Sequence, residues 1–167
     1  MHLFLSGETQ VGKSTAIRRF ISEKSWRLGG FLTIWDRKSQ QLFLHLLGGG
    51  EEKIFRIAAF QDGRLRPDTD AFNAAGQLLL DGFSDGADLF LMDEIGFLER
   101  NALVFQRAVL SVLDSSAPIL GVIRLNKQTD FLNQVRSHPS VQFLPVTLQN
   151  RDSIPGELAR RFGEELP

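Results

Sequence analysis

Short apolar runs alternate along this chain with longer segments in which apolar residues recur at helical spacing. We predict strands over the apolar runs and helices over the longer segments. The predicted strands are His2–Ser6, Arg27–Trp35, Gln41–Leu47, Lys53–Phe60, Asp88–Met92, Pro118–Ile123 and Val141–Val146. The predicted helices are Lys13–Lys24, Ala71–Phe83, Asn101–Leu113, Asp130–Arg136 and Pro155–Phe162.

Strands that alternate with helices predict an α/β fold with a mostly parallel sheet flanked by helices. The polar turn Asp36–Gln40 joins two strands directly and predicts an antiparallel hairpin added to that sheet. Gly48–Glu52 is expected to be another turn, and residues 61–70, rich in Asp, Gly, Arg and Pro, are predicted to form a surface loop. A length of 167 residues, 43% of them hydrophobic, predicts one domain spanning residues 1–167.

Charge and composition exclude several classes of function. A net charge of −1 produces no overall field that would attract nucleic acid or an anionic membrane. No apolar run is long enough to span a bilayer. The absence of cysteine excludes disulfides, thiol catalysis and thiolate metal sites, and it is compatible with a reducing compartment. We therefore expect a cytoplasmic monomer that binds neither nucleic acid nor a membrane.

The segment after the first predicted strand matches the phosphate-loop pattern G-x-x-x-x-G-K-[ST] at every fixed position. Glycines allow the backbone conformations that such a loop needs, so that successive N–H groups and the positive end of the next helix converge on an anion. Lys13 is expected to bind the β- and γ-phosphates, Ser14 to bind Mg²⁺, and Thr15 to contact the α-phosphate. The predicted phosphate-binding residues are Gly7, Glu8, Thr9, Gln10, Val11, Gly12, Lys13, Ser14 and Thr15. The expected ligands are a nucleoside triphosphate, such as ATP or GTP, and Mg²⁺.

An acidic pair, Asp93 and Glu94, ends the apolar run of the fifth predicted strand. A P-loop hydrolase needs one carboxylate that holds Mg²⁺, directly or through a water, and we assign that role to Asp93. Glu94 is then placed to orient the attacking water and to accept its proton. Taken alone, the two acids are also compatible with a strand end and a helix cap. The phosphate loop earlier in the chain favours the catalytic interpretation.

An ordered set of motifs resembles the small nucleoside-triphosphatases described from thermophiles, a family that includes the human cancer-related nucleoside-triphosphatase. The set comprises the phosphate loop, Gly29-Gly30-Phe31 with Thr33 and Arg37, Asp93-Glu94-Ile95-Gly96 with Glu99, Arg124, and Thr147 with Asn150-Arg151-Asp152. The resemblance implies a RecA-like P-loop fold and slow, Mg²⁺-dependent hydrolysis of several nucleoside triphosphates, with Glu94 as the base. Two features depart from it: Ser14 stands where Thr is usual, and the acidic residues usual near Ile34 and Trp35 are missing, which leaves the role of that hairpin in substrate choice open.

Further polar residues follow the last two predicted strands. Arg124 is a candidate for stabilising the γ-phosphate from within the same chain, although a solvated arginine at a strand end is equally compatible with its position. Asn150 and Arg151 are candidates for contacting the base or ribose, with a turn residue and a helix-start charge as the alternatives. Glu99 is expected in the first turn of a helix, where the helix dipole favours an acid.

The sequence leaves three functions open. Mg²⁺-dependent hydrolysis of nucleoside triphosphates leads, because Glu94 favours an activated water. A nucleotide or small-molecule kinase would need an acceptor pocket and a lid, for which Arg64 and Arg66 in the predicted loop are weak candidates. A nucleotide-dependent switch with negligible turnover would use the same phosphate loop and acids.

Overall fold

The computed structural model describes residues 1–48 and 50–163, which form one eight-stranded sheet with helices on both faces. The strands are β1 (His2–Ser6), β2 (Leu28–Asp36), β3 (Gln41–Gly48), β4 (Glu51–Gln61), β5 (Arg64–Pro67), β6 (Leu89–Ile95), β7 (Ile119–Ile123) and β8 (Val141–Pro145). The helices are α1 (Lys13–Ser22), α2 (Thr69–Leu80), α3 (Leu103–Leu113), α4 (Asp130–Ser137) and α5 (Ile154–Gly163). Within the described ranges, no helix is both long and apolar enough to cross a membrane.

The sheet has a parallel half and an antiparallel half. Its strand order is β5-β4-β3-β2-β6-β7-β1-β8, and β2, β6, β7, β1 and β8 run parallel to one another. Strands β3, β4 and β5 extend the sheet in antiparallel fashion beyond β2. The predicted α/β fold and the β2–β3 hairpin, which pairs Asp36 with Gln41, are confirmed. Because the parallel strands share a direction, the loops that follow β1, β6, β7 and β8 meet at one edge of the sheet.

The prediction of a surface loop over residues 61–70 is wrong for most of that segment. Arg64–Pro67 form edge strand β5, which pairs with β4, and α2 already begins at Thr69. Asp62 and Gly63 have φ angles of 49° and 73°, as a two-residue hairpin turn requires. Pro67 is compatible with strand structure there because an edge strand leaves some of its N–H groups without a partner. The Asp-Gly pair was therefore a hairpin signal.

Two apolar layers hold the strands in place. Residues of α1 and α5, including Ile17, Phe20 and Leu158, pack with Leu3 and Leu5 of β1 on one face of the sheet. The opposite face carries α2, α3 and α4 over a second cluster that contains Phe4, Phe31, Phe72, Met92 and Phe105. All five residues of β1 are buried. Because burying each large apolar side chain contributes roughly 1.5–3 kcal/mol, the strand ends that carry the polar loops have firm support.

Candidate nucleotide-binding site

The loop between β1 and α1 has the backbone shape of an anion-binding nest. The φ angles of Gly7, Gln10 and Gly12 are 137°, 62° and 111°. A Cβ on Gly7 would lie 2.3 Å from the carbonyl oxygen of Val146, which is closer than a side-chain carbon can come. The N–H of Val146 in turn donates to the carbonyl oxygen of Ser6 over 2.7 Å. Glycine at position 7 therefore lets the loop pack directly against the segment that follows β8.

Lys13 lies across this loop. Its Nζ donates hydrogen bonds to the carbonyl oxygens of Gly7 and Glu8, over 2.9 and 2.5 Å. Partial burial lowers the pKa of Lys13, while the nearby carboxylates of Glu94 and Asp93 act in the opposite direction. The ammonium group is thus held at the mouth of the nest and within electrostatic reach of both acids, as a phosphate-binding lysine has to be.

Asp93 is buried beside the phosphate loop, with 6% of its surface exposed. Burial, with a smaller contribution from the Glu94 carboxylate, raises the pKa of Asp93 to about 6. A main-chain hydrogen bond from Thr33 and the charge of Arg18 oppose this rise without cancelling it. Its Oδ1 lies 3.5 Å from the Oγ of Ser14. No lysine or arginine in the described part of the chain forms an ion pair with this carboxylate, so its charge is free to bind a cation.

Glu94 occupies a β-bulge at the end of β6. Met92 pairs with Gly121 of β7 and Ile95 pairs with Ile123, so β6 has one residue more than its partner between these pairs. Glu94 has a φ of 66°, in the left-handed region that costs a non-glycine residue roughly 1–2 kcal/mol. Backbone strain of this kind concentrates at functional sites. Met92 and Ile95 both belong to the cluster beneath α2 and α3, so the bulge breaks the regular alternation of the strand directly after the two acids.

The carboxylate of Glu94 is held by Arg124. The Nε and Nη2 atoms of Arg124 lie 2.7 and 2.6 Å from Glu94 Oε1, and the two side chains are 43% and 37% exposed. The N–H of Arg124 donates to the carbonyl oxygen of Ile95 over 3.0 Å, which fixes the loop after β7 to the end of β6. Two residues predicted to be catalytic from separate parts of the sequence therefore form an ion pair at the sheet edge.

Arg136 supports the loop that carries Arg124, and the sequence alone did not indicate this. From the last turn of α4, its Nη2 donates to the carbonyl oxygens of Arg124 and Lys127, over 2.6 and 2.5 Å. In the sequence, Arg136 is indistinguishable from an ordinary basic residue at a helix C-terminus, where the dipole favours a positive charge. No local signal distinguishes it, because its partners belong to a different loop.

Glu99 has a different role from the one expected. The helix α3 begins at Leu103, so the prediction that Glu99 lies in its first turn is wrong. Glu99 is 3% exposed and its Oε1 accepts a hydrogen bond from the N–H of Gly96 over 2.6 Å. Burial raises the pKa of Glu99. The side chain thereby closes the turn that follows the Glu94 bulge.

Asn150 and Arg151 lie in the loop after β8, next to the phosphate loop. The Oδ1 of Asn150 accepts from the N–H of Thr147 over 2.8 Å, and its Nδ2 donates to the carbonyl oxygen of Pro145 over 2.9 Å. The amide of Asn150 thus closes this loop. Arg151 is exposed and lies over the phosphate loop. A Cβ built on Gly12 would be 3.6 Å from Arg151 Cδ. A contact of either residue with a base or ribose stays a prediction.

Gly29 and Gly30 lie on β2 beside β6, and Arg37 lies in the turn of the β2–β3 hairpin. Gly30 has a φ of 84°, and a Cβ there would be 2.0 Å from the carbonyl oxygen of Leu91. A Cβ on Gly29 would be 2.8 Å from the Cβ of Ala87. Both glycines therefore permit close packing of β2 against β6 and the segment before it. Arg37 is exposed at the hairpin turn.

Sequence comparison assigns this arrangement to a family. The sequence model of the NTPase family matches residues 2–159. The chain belongs to this NTPase family. Membership identifies it as an enzyme that hydrolyses nucleoside triphosphates. Similar curated proteins are the nucleoside-triphosphatases THEP1 of Methanosarcina barkeri, 26% identical over 98% of each chain, and of Natranaerobius thermophilus, 27% identical over 99% of this chain and 98% of the relative.

Two solved structures share the fold of this NTPase-family chain. The crystal structure of THEP1 from Aquifex aeolicus has a TM-score of 0.76 at 21% identity and covers 97% of this chain and 99% of its own. The solution structure of a human cancer-related nucleoside triphosphatase has a TM-score of 0.77 at 20% identity and covers 99% of both chains. The P-loop architecture and the family expected from the sequence motifs are thereby confirmed.

Proposed function

We propose that this protein hydrolyses nucleoside triphosphates, ATP and GTP among them, to diphosphate and phosphate in a Mg²⁺-dependent reaction. One observation carries the proposal: the structure gathers a phosphate-loop lysine, a buried acid and a second acid at the same sheet edge. Lys13 feels the charges of both Asp93 and Glu94, although those acids are about 80 residues further along the chain. Binding alone would need the loop, whereas hydrolysis also needs a base beside it.

The donors at positions 14 and 93 suit Mg²⁺. This ion prefers hydroxyl, carboxylate and phosphate oxygens, and neighbouring oxygens in its octahedral shell lie roughly 3 Å apart. The separation of 3.5 Å between Ser14 Oγ and Asp93 Oδ1 is near that value. A bound cation would also offset the burial that raises the pKa of Asp93. When bound there, Mg²⁺ supplies positive charge to the β- and γ-phosphate oxygens.

Glu94 serves as the general base in the proposed reaction. Its carboxylate takes a proton from a water, whose oxygen forms a bond to the γ-phosphorus while the bond to the bridging oxygen breaks and the diphosphate leaves. Arg124 binds only Oε1 of this carboxylate in the structure, which leaves Oε2 to accept the proton. In the proposed reaction the same guanidinium stabilises negative charge on the γ-phosphate oxygens.

The nucleoside would lie on the other side of the phosphate loop. Arg151 shares a shallow pocket of about 280 Å³ with Gln10, Thr15 and Arg19. We propose that its guanidinium stacks on the base or contacts the ribose, since the planar group is suited to stacking. Asn150 would then act by holding the loop that presents Arg151. Comparing phosphate release from different nucleoside triphosphates determines which base the site prefers.

Phosphate release from ATP, GTP, CTP and UTP, each with and without Mg²⁺, tests the proposal. Lys13→Ala should abolish release and weaken nucleotide binding, whereas Glu94→Gln should abolish release and leave binding intact. Lys38→Ala and Glu23→Gln alter exposed residues outside the site and serve as matched controls. Turnover in the wild type no higher than in Lys13→Ala would refute hydrolysis and favour a nucleotide-dependent switch.

The structure does not support Arg64 and Arg66 as part of the lid that a kinase would need. Arg64 and Arg66 lie on edge strand β5, and Arg66 pairs with Asp62 over 3.4 Å. The predicted cytoplasmic location, monomeric state and absence of nucleic-acid or membrane partners stay predictions. Light scattering on the purified protein tests the monomeric state.

A further inference from the structure

An apolar cleft opens next to the Glu94–Arg124 pair. Its volume is about 350 Å³, and it lies between the antiparallel half of the sheet, helices α2 and α3, and the turn after β6. Its walls are formed mainly by aromatic and aliphatic side chains, among them Phe31, Leu44, Ile57, Leu65, Phe72 and Phe105. Glu94 and Arg124 also line the cleft, so the carboxylate whose charge acts on Lys13 borders this space as well.

Hydrolysis does not explain a cavity of this size and character. An attacking water needs room for one small polar molecule with several hydrogen-bonding partners. This cleft instead falls in the usual size range of small-molecule sites, which are mostly apolar with a few placed polar groups. The cleft is lined by the ionic side chains Glu94, Arg124 and Lys127, and its walls are otherwise largely apolar. The carboxylate of Glu99 also lines the cleft, but it is buried and already accepts a hydrogen bond from the N–H of Gly96.

We propose that the cleft binds an uncharged, ring-containing alcohol and that its hydroxyl group accepts the γ-phosphoryl group of the nucleotide. This inference rests on the proposed nucleotide site and adds a second substrate to it. The apolar walls favour rings and disfavour a charged ligand, because burying an unpaired charge costs several kcal/mol. The carboxylate of Glu94 selects a ligand with a hydrogen-bond donor at the end nearest the phosphates.

The transfer parallels hydrolysis with the alcohol in place of water. The alcohol oxygen forms a bond to the γ-phosphorus, the bond from that phosphorus to the bridging oxygen breaks, and the nucleoside diphosphate leaves with the electron pair. The hydroxyl proton passes to Oε2 of Glu94. Products are a phosphate monoester and a diphosphate. Release of free phosphate is then the reaction with water when the cleft holds no alcohol.

The test uses 2-naphthylmethanol, a fused-ring alcohol, as the probe, and its methyl ether, which has no hydroxyl, as the matched ligand. Saturation-transfer NMR measures binding without nucleotide, and ³¹P NMR with ATP and Mg²⁺ measures monoester formation. Leu65→Trp places an indole ring inside the cleft from β5, and Leu65→Phe is a milder version if folding fails. Arg64→Trp adds the same ring at an exposed position of that strand and is the control.

We expect both ligands to bind the wild type and Arg64→Trp, and roughly tenfold weaker binding to Leu65→Trp. Only the alcohol should yield a monoester, and Lys13→Ala should bind it without transfer. Absence of binding, binding unaffected by both Leu65 variants, or bound alcohol with ATP converted to free phosphate alone would each overturn the inference. Those results leave hydrolysis standing, whereas failure of ATP turnover without any probe would overturn the proposed function itself.

Discussion

Replacing Asp93 with asparagine should stabilise the metal-free protein while it abolishes the proposed Mg²⁺ site. The carboxylate is 6% exposed, and its pKa is raised from 3.8 to about 6 by burial and by Glu94. Since the folded protein holds this proton more tightly than the unfolded chain does, the free energy of unfolding falls as pH rises between these two values. An asparagine has nearly the same shape and carries no charge at any pH.

The magnitude follows from the shift in pKa. Each pKa unit corresponds to about 1.4 kcal/mol, so the ionised Asp93 destabilises the metal-free fold by about 3 kcal/mol at neutral pH. About 2 kcal/mol of that difference should develop between pH 4 and pH 7. The advantage of Asp93→Asn over the wild type should therefore grow with pH and level off above pH 7.

Urea unfolding in EDTA at a series of pH values measures this difference. Asp62→Asn replaces a carboxylate whose side chain is 85% exposed, and it controls for general effects of charge. Adding Mg²⁺ with a non-hydrolysable triphosphate should stabilise the wild type more than Asp93→Asn, because stabilisation grows with ligand affinity and the variant lacks the proposed metal ligand. A stability difference between Asp93→Asn and wild type that does not vary with pH would refute the reasoning.

Substitutions at three further positions test the phosphate loop and its supports. Gly7→Ala should abolish nucleotide binding, measured with a fluorescent analogue. Both the φ of 137° at Gly7 and its contact with the segment after β8 exclude a Cβ. The control Gly156→Ala adds a methyl group in open space on α5 and should bind nucleotide normally. Ser14→Thr should keep Mg²⁺-dependent turnover and Ser14→Ala should need more Mg²⁺. Arg136→Gln should lower kcat roughly tenfold to a hundredfold with KM for nucleotide unchanged, because the loop carrying Arg124 loses two anchors.

Each of these predictions would be contradicted by a different result. Normal nucleotide affinity in the Gly7 variant would show that the loop adopts another conformation when it binds. Equal Mg²⁺ dependence of Ser14→Ala and wild type would remove this hydroxyl from the metal site. If the Arg136 variant changed KM rather than kcat, its effect would lie in nucleotide binding and not in the position of Arg124.

Local signals were sufficient for the phosphate loop and for most of the elements. The strand before the loop was predicted with the same bounds as β1, because a short apolar run before a glycine-rich loop has few alternatives. The prediction of a loop over residues 61–70 was wrong because it gave more weight to the charged residues than to the hairpin signal of Asp62-Gly63. An edge strand tolerates such residues, since one of its sides has no neighbouring strand.

The parts of the site that escaped prediction depend on contacts between distant segments. The bulge at Glu94 exists only relative to the register of β7, so the acidic pair reads in sequence as an ordinary strand end. Arg136 donates hydrogen bonds to carbonyl groups of a preceding loop. Every residue has a backbone carbonyl group, so the sequence does not indicate which of them a side chain will contact. The apolar cleft likewise is lined by residues distant in sequence, such as Leu65 of β5 and Phe105 of α3.

The end of β6 links the two activities inferred for this site. Adjacent residues of a strand send their side chains to opposite faces of the sheet. Asp93 accordingly lies against Ser14 on the face of α1, and Glu94 reaches Arg124 at the border of the cleft, on the face of α2 and α3. The bulge and the left-handed φ at Glu94 then place the next residue, Ile95, in the same cluster as Met92. One carboxylate can then serve as base for whichever hydroxyl is present, water or alcohol. What enters the cleft therefore decides whether the γ-phosphoryl group is released or transferred.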